Sequence, residues 1–158
     1  MKRLKYQNGK LDRTDLMLID ALVKDARTTT AELARLVGLS PPSVSERIKR
    51  LEDASLIEGY TLKINPRALG LPIAAWLRIR PIPGQLQRVA QILKDIPEIA
   101  ECDRVTGEDC FIARAHVDSI EGLEHLIDQL IPYSMTNTSI IQSSPVERRL
   151  PRKPDAAI

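Results

Sequence analysis

The chain has 158 residues, a formal net charge of +2, and 43% hydrophobic against 28% charged side chains, room for one ordinary globular domain or two small ones. No run approaches the ~18 apolar residues of a membrane span, and the basic opening MKRLKYQNGKLDRTD leads into no apolar segment of a secretory signal. Cys102 and Cys110 have no metal-ligand spacing beside only 2 His, so free thiols in a reducing cytoplasm are expected, with no metal or cofactor, and 3% aromatic content argues against stacking on single-stranded nucleic acid.

A first helix is expected in KLDRTDLMLIDALVKDA. Asp12 is its N-cap, Leu11 and Leu16 hold staple positions, and Leu16, Ile19, Leu22 and Val23 form its apolar stripe. TTTAELARLVG predicts a second helix: Thr29 and Glu32 fit a capping box, Leu33, Ala34 and Val37 face inward, and Gly38 stops it. Only Gly38-Leu39-Ser40 separates it from a third helix in GLSPPSVSERIKRLE. There Ser40 is the N-cap and its oxygen serves the amide of Ser43. Pro41 and Pro42 fill the first helical positions, where an amide has no carbonyl partner in any case. Leu39 and Val44 can close as a staple, and Val44, Ile48 and Leu51 make a narrow apolar stripe. Two short helices joined by a glycine-containing turn are the helix-turn-helix arrangement. After it, Leu56–Ile57, a turn at Glu58-Gly59 and an extended run Tyr60–Ile64 read as a small wing or linking strand, which Asn65-Pro66 ends.

From Leu71 the texture changes. PIAAWLRIRP reads as a strand, and GQLQRVAQILKDIP as a helix with Leu86, Val89, Ile92, Leu93 and Ile96 at helical spacing. IAECDRVTGEDCFIARAHV reads as two strands around a tight turn at Thr106-Gly107-Glu108-Asp109. SIEGLEHLIDQLI is a helix capped by Ser119, and TNTSIIQSSPVERR a final strand. The order βαββαβ is the ferredoxin-like plan, with helices over one face of an antiparallel sheet. Trp76, Ile79, Ile112 and Ile140 belong to strands whose second face needs a cover, and a second subunit is the economical one. The fold class is therefore α+β: a winged helix-turn-helix domain over 1–61, a linker over 62–70, a βαββαβ domain over 71–150 and a tail over 151–158.

Charge follows the same division. Residues 1–61 hold 11 Lys/Arg against 9 Asp/Glu, and residues 62–158 hold 12 of each. Within 43–50, Arg47, Lys49 and Arg50 face the single acid Glu46, a basic patch suited to a small phosphate footprint.

The run from Leu11 to Gly70, followed by VTGEDCFIARAHV and TNTSIIQSSPVERR, resembles the Lrp/AsnC family of bacterial and archaeal transcription regulators, the feast/famine regulators. The pattern LA..VGLS…V..RI.RLE…I.GY carries the likeness, which extends over residues 11–149. The resemblance implies a winged helix-turn-helix on double-stranded DNA and a C-terminal domain for effector sensing and assembly. It also implies dimers, often built into tetramers or octamers, and an amino acid effector bound near the turn between the second and third strands, at a subunit contact. A two-fold protein of this kind prefers a pseudo-palindromic operator.

In a helix-turn-helix, the N-terminal residues of the second helix meet base edges in the major groove. The candidates are the cap Ser40 and Pro42, Ser43, Ser45, Glu46, Arg47, Lys49 and Arg50. Ser43, Ser45 and Glu46 are assigned to bases, and Lys49 and Arg50 to phosphates. The stem of Arg47 packs near the core stripe and only its tip reaches toward DNA. A merely solvated helix face is the plain alternative.

The effector candidates are Thr106, Gly107, Glu108, Asp109 and Cys110, with Thr136 and Thr138 from the strand start that resembles the family's Thr-rich segment. Gly107 tolerates positive φ, amides beside it can take a carboxylate, and Glu108 and Asp109 can hold an ammonium group. A plain hairpin turn uses the same residues. The chain departs from the family at Cys110, where many members carry Asp. No catalytic residues are expected: His116 and His125 stand apart, with no nucleophile motif, phosphate loop or metal spacing. Two further readings stay open, an architectural DNA-binding regulator without an effector and a stand-alone amino acid sensor, against which residues 11–61 argue.

Overall fold

Local capping sets where each helix of the first unit begins. The structure, a computed structural model, describes residues 11–149, and the chain divides into two compact units between Leu62 and Lys63. Residues 1–10 and the tail expected over 151–158 lie outside the described residues. Helix α1 (Arg13–Lys24) starts at a reciprocal box in which the Asp12 side chain accepts from the Asp15 amide and the Asp15 side chain accepts from the Asp12 amide. Helix α2 (Thr30–Val37) starts at the expected Thr29–Glu32 box and ends at Gly38, whose φ of 69° is left-handed. Helix α3 (Pro41–Asp53) starts at Ser40, whose Oγ accepts from the Ser43 amide at 3.4 Å. Leu18, Leu33, Ala34 and Val44 form the buried centre, with Ala21, Leu22, Val37 and Ile48 packed around it.

Helix α1 is rotated relative to the expected stripe. Asp15 and Leu18 are buried, whereas Leu16 and Ile19 are only half-buried and Val23 is exposed. The buried face accommodates a carboxylate because cations from α3 neutralise it, so the apolar count alone misplaces the helix axis. The expected wing also takes a different form, since no strand ladder forms over Leu56–Ile64 among the described residues. The amides of Leu56 and Ile57 are spent on the carbonyl of Leu51, at 2.9 and 3.2 Å, and close the C-terminus of α3 instead of a strand. With Ser55 left-handed at φ 57° and its amide on Glu52, this is a Schellman motif. Tyr60, Leu62 and Ile64 follow it with exposed side chains, and the Tyr60 hydroxyl donates to Glu52 at 2.8 Å.

In the second unit a short 3-10 turn (Pro66–Leu69) precedes β1 (Ile73–Pro81), α4 (Leu86–Asp95), β2 (Ile99–Arg104), β3 (Phe111–Val117), α5 (Ile120–Asp128) and β4 (Ser134–Ile140). The sheet order is β2-β3-β1-β4, antiparallel throughout, the βαββαβ plan read from the sequence. Period-two alternation makes the core. Ala75, Leu77 and Ile79 of β1 and Phe111, Ala113, Ala115 and Val117 of β3 pack under Val89, Leu93, Leu123 and Leu126 of the helices. At roughly 2 kcal/mol for each fully buried Leu or Ile side chain, this face carries most of the unit's hydrophobic stabilisation.

The other face of the sheet carries Trp76, Arg78, Arg80, Ile112, Arg114 and His116. Ile79 is not part of it, being fully buried beneath the helices, and Ile140 pairs with Ala75 on the helix-covered side. Strand β4 starts earlier than expected, at Ser134, and ends at Ile140 instead of continuing through Arg149. The last ladder bond runs from the Ile141 amide to Ala74. Beyond it the segment that leads into β1 offers Pro72, which has no amide, and Leu71, whose amide is spent on Pro66.

Candidate functional site

Helix α3 is held from one side and open on the other. Val44 and Leu51 are fully buried, while Pro42, Ser43, Ser45, Glu46, Lys49 and Arg50 are exposed. Pro42, Ser45, Glu46 and Lys49 follow the i, i+3, i+4, i+7 spacing of one helix face. Ser45, Glu46 and Lys49 make no side-chain hydrogen bond or ion pair among the described residues. Ser43 is partly engaged, its Oγ 2.9 Å from the Oγ of Ser40.

The two arginines follow a different course from the one expected. Arg47 Nη1 donates to Asp12 Oδ2 at 2.6 Å and to Asp15 Oδ1 at 2.8 Å, so its tip turns toward α1 and not outward. Arg50 Nη2 lies 3.0 Å from both carboxylate oxygens of Asp15. Asp15 is fully buried. The Asp15 amide, and after it the Arg47 guanidinium, hold the Asp12 carboxyl below the usual carboxylate range. Asp12 and then Asp15 push the Arg47 pKa upward. The clamp fixes the rotation of α3 about its axis, which decides which side chains face away from the core. Of the two expected phosphate contacts, Lys49 is unencumbered and Arg50 shares its charge with Asp15.

In the second unit the expected tight turn is a loop over Val105–Cys110, pinned by bonds from the Val105 amide to Cys110 at 2.9 Å and from the Cys110 amide to Ile79 at 3.0 Å. Gly107 takes φ 114°, a conformation that L residues rarely adopt. The amides of Thr106, Gly107, Glu108 and Asp109 make no hydrogen bond among the described residues, whereas that of Cys110 is used. Glu108 and Asp109 share one cation: Arg80 Nη2 lies 2.5 Å from Glu108 and 3.7 Å from Asp109. Thr136 and Thr138 do not join them. They pair with Ile79 and Leu77 and so point to the helix-covered face, opposite to Arg80. Thr138 Oγ1 is buried there without a hydrogen-bond partner among the described residues.

Comparison with known proteins bears on both halves. A family model for the AsnC-type helix-turn-helix domain matches residues 11–52, and one for the Lrp/AsnC ligand binding domain matches residues 74–151. The chain belongs to the Lrp/AsnC family of transcriptional regulators. The HTH-type transcriptional regulator LrpC of Bacillus subtilis is 36% identical over 134 residues, 85% of this chain and 93% of that protein. Its structure matches with a TM-score of 0.84, at 34% identity, over 89% of this chain and 100% of the other. The feast or famine regulatory protein of M. tuberculosis, complexed with L-methionine, gives a TM-score of 0.82 at 33% identity, covering 89% of this chain and 98% of that one. A transcriptional regulator of Neisseria meningitidis, also in an L-Met complex, gives 0.83 at 26% identity, covering 90% and 97%.

Within this Lrp/AsnC chain, sequence reasoning missed Asp15 and Arg80. Asp15 carried a signal, an acid three residues after the Asp12 cap, which is the N3 position of a capping box. Arg80 carried a weaker one: alternation in WLRIRP sets Arg78 and Arg80 on the face opposite Leu77 and Ile79. Among the described residues, no helix is long and apolar enough to cross a membrane.

Proposed function

We propose that this regulator reads duplex DNA with the exposed face of α3, using Ser45 and Glu46 at base edges and Lys49 on phosphate, with Ser40, Pro42 and Ser43 at the close approach of the helix N-terminus. Arg47 and Arg50 act chiefly through the clamp, and the second terminal nitrogen of Arg50 adds a phosphate contact. The observation that carries this reading is the division of α3 into a face clamped to Asp15 and a face with no partner among the described residues. Residues 1–61 are the DNA-binding half, 62–70 the connection, 71–150 the sensing and assembly half, and 151–158 a tail. The protein is not an enzyme and acts in the cytoplasm. It forms a homodimer through the sheet face that carries Trp76 and Ile112, builds on to tetramers or octamers, and binds a pseudo-palindromic operator.

A small amino acid bound at the Thr106–Cys110 loop modulates its assembly or DNA affinity. The L-methionine complexes of two relatives support this, as do the unpaired amides of Thr106–Asp109, which suit a carboxylate. Asp109, only loosely held by Arg80, is the acid open to an ammonium group. A second reading, DNA binding without an effector, draws on the closure of Arg80 over Glu108 and on Cys110 in place of an acid. Selection of duplexes from a random pool by the full chain, with and without a panel of amino acids, tests both. The expected result is a two-fold-symmetric consensus whose retention shifts with one amino acid. A pool with no enriched sequence would remove the DNA reading, and enrichment indifferent to every amino acid would leave the second.

A further inference from the structure

Charge within the DNA-binding half is divided unevenly. Residues 1–61 hold 11 Lys/Arg and 9 Asp/Glu, and four of those bases, Lys2, Arg3, Lys5 and Lys10, fall in the first ten residues, where there is no acid. Residues 11–61 are left with 7 bases against the same 9 acids, a net charge of −2 on the helix-turn-helix itself. Helix α3 is no more basic, since Arg47, Lys49 and Arg50 are matched by Glu46, Glu52 and Asp53. Two of its three cations are drawn toward α1, Arg47 onto Asp12 and Asp15, and Arg50 onto Asp15. Phosphate contacts from Lys and Arg supply a large share of the affinity of a protein for duplex DNA. An acidic helix-turn-helix with a neutral reading helix meets that requirement poorly.

The clamp also fixes where the basic segment joins the fold. Leu11, the first described residue, is half-buried, and the Asp12 carboxylate after it lies 2.6 Å from Arg47 Nη1. Arg47 follows Glu46 and stands one helical turn beyond Ser43. The ten residues before Leu11 are therefore tethered beside the part of α3 assigned to the groove. Ten residues span at most about 33 Å, against a major groove about 12 Å wide, so the phosphates that flank the groove are within reach. The acids nearest this root in the sequence, Asp12 and Asp15, are already taken by arginine.

We propose that residues 2–10 are a second DNA contact, a basic arm that binds backbone phosphates flanking the α3 footprint and supplies the larger part of the electrostatic affinity for duplex. This inference rests on the reading of α3 as the groove helix. Phosphate contacts carry no direct sequence information, so the arm sets how tightly the regulator holds DNA and α3 sets where. The arm uses none of the sheet face assigned to the homodimer.

The full-length protein and the variant Lys2→Gln/Arg3→Gln/Lys5→Gln/Lys10→Gln are compared by fluorescence anisotropy on a duplex enriched from the random pool and on a scrambled duplex of equal length. Each phosphate contact adds about 0.9 to the slope of log affinity against log salt, so neutralising the arm is expected to lower that slope by about 3 to 4. Both duplexes are expected to bind about tenfold or more weakly at roughly 100 mM salt, with the ratio between them unchanged. Lys2→Arg/Lys5→Arg/Lys10→Arg keeps the charge and is expected to keep the slope. Arg88→Gln/Lys94→Gln, which removes two cations from α4 in the second unit, is expected to keep it too. An unchanged slope in the quadruple variant overturns the arm and leaves the groove reading standing. An equal fall of the slope in the α4 variant also overturns it, by assigning the effect to total charge. A changed ratio between the duplexes overturns the phosphate assignment. A parent protein that binds neither duplex overturns the groove reading and the arm together.

Discussion

The carboxylate of Asp15, at the start of α1, receives Arg50 of α3 at 3.0 Å on both oxygens while fully buried. Breaking a buried pair by removing one partner costs about 3–5 kcal/mol. Here the Arg47 and Arg50 side chains are 28% and 53% exposed and can turn to water, which lowers the cost. Asp15→Asn is expected to destabilise the protein by about 2 kcal/mol, seen as a lower urea midpoint at unchanged slope. A midpoint equal to that of the parent protein would show that the clamp contributes nothing.

The clamp also separates two substitutions that look equivalent in the sequence. Lys49→Ala removes a cation that has no partner among the described residues, so it is expected to weaken binding to all duplexes, lower the salt slope by about one, and leave the urea midpoint in place. Arg50→Ala takes a partner from Asp15 as well and is expected to lose stability alongside affinity. Ser45→Ala and Glu46→Ala should instead change which sequences are preferred. A salt slope in Lys49→Ala identical to the parent's refutes the phosphate assignment.

Ser55 holds the left-handed position of the Schellman motif at φ 57°, where glycine is the favoured residue. Left-handed backbone costs an L residue about 1–2 kcal/mol, against a gain in unfolded-chain entropy for glycine of about 0.4–1 kcal/mol. Ser55→Gly is therefore expected to raise stability by about 0.5 kcal/mol. A lower thermal midpoint would mean that the Ser55 side chain makes a compensating contact.

Helix starts, the helix-turn-helix and the βαββαβ order were legible because they rest on local signals: caps at Asp12, Thr29, Ser40 and Ser119, the stop at Gly38, and period-two alternation in β1 and β3. What depended on distant partners was not. The Asp15 clamp joins residues more than thirty positions apart, and no periodicity says that a carboxylate is neutralised. Leu56 and Ile57 looked like strand residues by composition but were recruited to end α3. Thr136 and Thr138 could be placed on a strand, yet their face follows from the register with Leu77 and Ile79.

His116 gives stability a pH dependence whose sign is fixed. Burial, then the charge of Arg114, lowers its pKa from the ordinary 6.5, and Glu101 opposes them. Between the lowered value and 6.5 the unfolded chain binds a proton that the folded chain refuses, so stability is complete above this window and falls as pH drops through it. The urea midpoint is expected to fall between pH 7.5 and pH 5.5, and His116→Gln to show a smaller fall. An identical fall in that variant assigns the effect to other groups.

The proposed effector loop yields the most discriminating test, because a ligand ammonium bound there would compete with Arg80 for the same acids. Arg80 lies 2.5 Å from Glu108 and 3.7 Å from Asp109, so removing its charge frees both carboxylates, and Arg80→Gln is expected to tighten amino acid binding. Asp109→Asn removes the acid nearest to being available and is expected to abolish it. Gly107→Val is expected to do the same for a different reason. Nothing lies within 4 Å of a Cβ built there, so space is not at issue, but φ +114° strains any L residue and more so a β-branched one. Only differential affinity between assemblies turns such binding into regulation, and a coupling of about 1–3 kcal/mol is typical. Calorimetry of methionine and the other common amino acids against the parent and these three variants, paired with DNA affinity, reads both quantities. Weaker binding in Arg80→Gln would make Arg80 a carboxylate partner of the ligand instead of a competitor for its ammonium. If the parent binds no amino acid at all, the loop is a plain hairpin connection and the exposed face of α3 alone carries the function.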